Sequence, residues 1–143
     1  MKKKIIIVIV VLILLSIVTT IYFSTDARIN RVINKLPETK EIVVRGWESG
    51  KIVDEEAIEE IISILSNYTP PNCRIFGHKT ASGSDLGMDM LNEQGEIIAT
   101  INIWTPINQM MPQSIKHYCG RARIDVESLN RVIERTLELD SQS

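Results

Sequence analysis

The stretch from Ile5 to Phe23, IIIVIVVLILLSIVTTIYF, holds about nineteen residues without a charge, a glycine or a proline. As a helix it reaches about 28 Å, close to the hydrocarbon thickness of a bilayer. It predicts a transmembrane helix, and its length favours an uncleaved signal-anchor over the shorter apolar region of a cleaved signal. The one small-x-small sequence, Thr25-Asp26-Ala27, leaves cleavage after Ala27 as the alternative. Lys2, Lys3 and Lys4 on one side are matched by Arg28, Arg31 and Lys35 on the other. The four-residue head, which also carries the terminal amine, is the harder end to translocate. The expected topology is therefore a single-pass cell-membrane protein with its N-terminus inside and its domain outside.

Four regions follow from this: a basic head over 1–4, the span over 5–23, an amphipathic juxtamembrane helix or stalk over 24–37, and a domain over 38–143. In the stalk, Ile29, Val32, Ile33 and Leu36 fall at helical spacing on one stripe. Arg28, Arg31 and Lys35 lie off it, placed to meet lipid phosphates. Pro37 disfavours helical geometry at Leu36 and ends the segment.

Within the domain, Glu41 to Trp47 alternates as a strand, and Lys51 to Val53 pairs briefly with it. Asp54 is placed as an N-cap, with Glu55 and Glu56 in the first turn and Ile58, Ile61, Ile62 and Leu65 on one face of a helix. Cys73 to Lys79 reads as a strand after the rigid Pro70-Pro71 connector. The clearest β signal is a hairpin: Asp85 to Leu91 and Glu96 to Trp104 both alternate, around the turn Asn92-Glu93-Gln94-Gly95. Thr105 to Ser114, with two prolines and two methionines, reads as a loop or a single helical turn. Ile115 to Ile124 is the last strand, and Asp125 caps a closing helix with Leu129, Val132, Ile133 and Leu137 on its buried stripe.

The expected class is α+β: an antiparallel sheet of about five strands with two helices on one face, in the order β-α-β-β-β-β-α. That order resembles one repeat of the TATA-box-binding-protein-like fold, a resemblance of topology that brings over no residue and no function.

The formal net charge is −2, but setting aside Lys2, Lys3 and Lys4 leaves 13 basic residues against 18 acidic ones, a balance of −5. An acidic domain with 5% aromatic residues lacks the basic face and stacking platform of a nucleic-acid-binding module. No nucleic-acid partner is expected. The acidic cluster Glu55, Glu56, Glu59 and Glu60 reads as a solvated helix face, and so do Asp85 and Asp89 on the polar side of their strand.

Cys73, His78, His117 and Cys119 are the soft ligands of the domain. Their spacing lacks the short chelating loops of structural zinc sites, so no metal or other cofactor is expected, with His78, His117 and Cys119 as weak metal candidates. Outside the reducing cytosol Cys73 and Cys119 form either a disulfide or two buried thiols. A Cys–His nucleophile pair can be drawn from the same residues, but nothing in the sequence orients the imidazole or supplies an oxyanion hole. There is no glycine-rich phosphate loop and no GxSxG or HExxH motif.

The sequence therefore points to a membrane-anchored, extracytoplasmic α+β module without catalysis, binding an envelope protein or a small ligand. Its expected surface is the uncovered sheet face with Thr100, Asn102 and Trp104, together with the Met110-Met111 segment, where methionine adapts to varied partners. The membrane itself is the partner of Ile5 to Phe23. The alternative is a small hydrolase or metal-dependent enzyme using His78, His117 and Cys119.

Overall fold

The computed structural model describes residues 2–22, 24–46, 49–70, 84–113 and 122–141. Two helices open the chain, α1 (Lys2–Tyr22) and α2 (Thr25–Ile33). A hairpin of β1 (Glu41–Gly46) and β2 (Gly50–Ile52) precedes α3 (Glu55–Ser66). Then come β3 (Leu86–Leu91), β4 (Ile97–Trp104), β5 (Gln109–Pro112), β6 (Ala122–Arg123) and the closing helix α4 (Val126–Ser141).

The strands form one antiparallel sheet in the order β2-β1-β3-β4-β5-β6. Because strand side chains alternate, one face gathers Ile42 and Val44, Met88 and Met90, Ile101 and Ile103, with Met110 beside them, all essentially buried. Helices α2, α3 and α4 cover that face with Ile29 and Ile33, with Ile58, Ile61 and Leu65, and with Leu129, Val132 and Ile133. Each such side chain taken fully from water contributes about 1.5–3 kcal/mol, so the sheet and three helical stripes are one core.

Local chemistry sets the boundaries. The Asp54 carboxylate accepts from the Ala57 amide at 2.8 Å and starts α3, and Asp125 does the same for α4 through the Ser128 amide at 3.1 Å. Asp125 also accepts from the Ser128 hydroxyl at 2.7 Å, and these two bonds lower its pKa below the usual carboxylate value. The β3–β4 turn is held by Asn92, whose side-chain oxygen accepts from the amides of Gln94 and Glu96, while Gly95 takes a positive φ of 76°.

Three expectations need correction. Among the described residues the sheet has six strands rather than about five, and the order β-α-β-β-β-β-α is not the one seen, since β1 and β2 form a hairpin ahead of α3. The segment read as a loop contains β5. Pro106 falls in the first turn of a 3-10 helix over Thr105–Ile107, where its missing amide costs nothing. Asn108 then reverses the chain at φ 50°, and Pro112 ends the strand opposite Ile101. The strand expected at Cys73 to Lys79 lies outside the described residues.

The third correction concerns the N-terminus. Ser24 caps α2, its hydroxyl accepting from the Ala27 amide at 3.2 Å, so α1 and α2 are separate helices. Thr19 and Thr20 turn their hydroxyls back to the carbonyls of Leu15 and Ser16. Among the described residues no helix is long and apolar enough to cross a membrane. An N-terminal transmembrane helix, a single-pass signal-anchor and the cell-membrane localisation with the domain outside are thus not supported.

Gly46 offers a test of how β1 meets β3. Its φ of 136° is a conformation L side chains rarely adopt, and a Cβ there would run into the Asp85 carbonyl oxygen. Gly46→Ala is expected to destabilise the domain by more than about 1 kcal/mol, read as a lower urea midpoint at unchanged m-value. An unchanged midpoint would show that the close approach is absent.

Candidate functional site

On the sheet face away from the helices, Arg45, Asp89 and Thr100 form a chain across β1, β3 and β4. The Arg45 guanidinium donates to Asp89 at 2.8 Å and the Thr100 hydroxyl donates to the same carboxylate oxygen at 2.6 Å. Gly87 lies beneath this pair, where a Cβ would be in ordinary van der Waals contact with the Arg45 guanidinium. Asp89 is 14% exposed and its charge is matched by Arg45. Asp85 has a separate role, accepting from the amide and hydroxyl of Thr105 at 3.1 and 3.2 Å. The two aspartates are thus anchored apart.

Thr100, Asn102 and Trp104 share this face and are half-buried, and Met111 stands opposite Asn102 in the ladder. Met110 does not belong to it: it is fully buried on the core side, opposite Ile103. Strand alternation explains the split, because adjacent residues of β5 must point to opposite faces. Reading the segment as a loop hides that alternation.

The edge of the sheet beyond Thr100 opens into a cleft of about 610 Å³ against α2. One wall carries Arg28 and Arg31 of α2 with Lys35 just past its end; the apolar lining comes from Val32, Ile97, Ile98 and Pro112. Of the expected surface residues, Thr100 is the one that lines it. The cations gather because Ile29 and Ile33 lock one stripe of α2 into the core, leaving positions 28, 31 and 35 on the side toward the sheet edge. Arg31 and Lys35 also sit where the C-terminal end of the helix dipole favours positive charge. Among the described residues neither Arg28 nor Lys35 has an ion-pair partner.

α2 is latched from its other end. The Tyr68 hydroxyl, beyond α3, donates to Asp26 at 2.6 Å. Burial and the adjacent carboxylate raise the phenol's pKa well above its usual value of 10.

A second cleft, of about 410 Å³, lies between α3 and the segment following α2, lined by Pro37, Thr39, Val53, Ile58, Glu59 and Ile62 among others. Thr39 is 4% exposed, and among the described residues its hydroxyl has no hydrogen-bond partner. The acidic face of α3 is partly engaged: Glu55 meets Lys40 at 3.3 Å and Glu60 meets Arg135 at 2.8 Å. Among the described residues no group of three or more histidine, cysteine or carboxylate side chains is arranged to hold a metal ion. Cys73, His78, His117 and Cys119, with the disulfide and metal readings built on them, lie outside the described residues.

Comparison with known proteins finds no matching family model, no matching curated protein and no matching solved structure.

Two stability measurements check this geometry. Thr39→Val keeps the side-chain shape and removes an unpaired buried hydroxyl, so it is expected to hold or raise stability by up to about 1 kcal/mol; a loss of that size would reveal a bond the hydroxyl makes. Tyr68→Phe is expected to cost about 1 kcal/mol at neutral pH. Because the folded phenol's pKa lies above the unfolded value, its contribution is complete below pH 10 and fades as pH rises through the folded pKa. The gap between wild type and Tyr68→Phe in urea melts should therefore shrink above pH 10.

Proposed function

We propose that this domain is a non-catalytic binding module and that it takes an anionic ligand in the cleft between α2 and the edge of β4. The supporting observation is the set Arg28, Arg31 and Lys35 on one wall of a cleft, in a region whose balance of charge is otherwise acidic. A cluster of cations on one wall of a cleft raises the local concentration of anions there. The size of the cleft falls in the range of small-molecule sites, and its mixture of apolar wall and few charged groups is what such sites use to bind and orient. The sheet face with Asn102, Trp104 and Met111 adjoins the cleft at Thr100, so a bulkier partner docked on that face would extend the same site. The enzymatic alternative rests on His78, His117 and Cys119, none of which is among the described residues.

The test is titration of the full-length protein with butyl phosphate, and with butylammonium as the charge-reversed control, by calorimetry. Saturable 1:1 binding of the phosphate is expected, weakening with added salt and falling at least about tenfold, roughly 1.4 kcal/mol, in the double variant Arg28→Gln/Lys35→Gln. Equal binding of the two probes, no binding of the phosphate, or an unaffected double variant would overturn the reading.

A further inference from the structure

The cleft beside α2 is not a uniformly polar anion site. Its cations are on the helix side together with Val32, and the opposing lining sets hydrocarbon from Ile97, 60% exposed, and the half-buried Ile98 beside the polar Thr100 and Gln113. Ile97 is exposed although it continues the alternation of Ala99, Ile101 and Ile103 into the core. The reason is local. Among the described residues β5 pairs with β4 from Ile101 to Trp104, with one further bond from the Gln113 amide to the Thr100 carbonyl at 2.8 Å, and the start of β4 extends beyond that ladder. A bulge between Met90 and Leu91 on the other side shifts the register where β3 meets Ile97. The projecting end of the strand holds apolar side chains against an open cleft whose far wall is positive.

We propose that the ligand is an amphiphilic anion: a phosphate or carboxylate head held by Arg28 and Lys35, with an alkyl chain lying along Val32, Ile97 and Ile98. Charge complementarity selects the head, since guanidinium groups and ammonium groups both bind phosphate and carboxylate oxygens strongly. Contact with the exposed isoleucine selects the chain, since each methylene buried there leaves water at the same time as the Ile97 side chain does. This deepens the proposed function and rests on it.

The experiment is a chain-length series, butyl, hexyl, octyl and decyl phosphate, titrated below the micellar range into the full-length protein, into Arg28→Gln/Lys35→Gln and into Ile97→Ser. For wild type, affinity is expected to rise about fourfold per added methylene until the chain outgrows the wall, then to level off. Ile97→Ser, which removes hydrocarbon from the wall the chain lies along, should flatten the rise with chain length severalfold. The charge variant should lose the series as a whole. If butyl phosphate binds and lengthening the chain changes nothing, the head site stands and the amphiphile proposal is overturned. If butyl phosphate does not bind either, the proposed function itself has failed. A rise with chain length that persists unchanged in the charge variant is adhesion to the exposed apolar surface of α1, and it too overturns the proposal.

Discussion

The register between β3 and β4 is what the remaining structure depends on. Met88 faces Ile101 and Leu86 faces Ile103, so the inward side chains of both strands fall on the same side of the sheet and present one apolar surface to the helices. A one-residue slip of β4 along β3 would send Ile101 and Ile103 to solvent and bring Thr100 and Asn102 under the helices. Neither arrangement is intermediate: Asp89 finds Arg45 and Thr100 only on the outer face. The outer polar chain and the inner apolar surface therefore enforce the same register from opposite sides.

That surface also positions the cleft. α2 is short, nine residues, and an isolated helix of that length is marginal in water, so its place is set by what it buries. Ile29 and Ile33 lock into the core and Asp26 is held by Tyr68, which fixes the rotation of the helix about its axis. Rotation in turn decides where Arg28, Arg31 and Lys35 point. The site is a consequence of packing on the other side of the same helix.

Elements with a complete local signal were legible in the sequence. The β3–β4 hairpin announced itself through period-two alternation on both sides of a loop ending in Gly95, and α3 through Asp54 and its apolar stripe. β5 was not legible, because prolines argue against a strand until one sees that Pro106 starts a helical turn and Pro112 ends the ladder. The N-terminal segment misleads: its uncharged run suggests a membrane span, yet among the described residues no helix is long and apolar enough to cross a membrane. The cleft was half legible: the off-stripe spacing of positions 28, 31 and 35 was visible, and lipid phosphates were weighed for them. Its apolar wall was not, because Ile97 and Ile98 lie more than sixty residues away and alternate like any hairpin strand.

Thr100 also constrains how a ligand can lie. Its hydroxyl proton is directed to Asp89, and that carboxylate is in turn held by Arg45, so toward the cleft this oxygen offers lone pairs and no donor. An anionic head placed against it would meet an acceptor, an unfavourable pairing in a partly desolvated site. The cations are on the helix wall, so both attraction and avoidance put the head on the α2 side. The chain is then left with the β4 side, where the projecting end of the strand supplies hydrocarbon. The polar network that fixes the sheet register thereby also sets the direction in which an amphiphile would enter, head toward the helix and chain toward the strand.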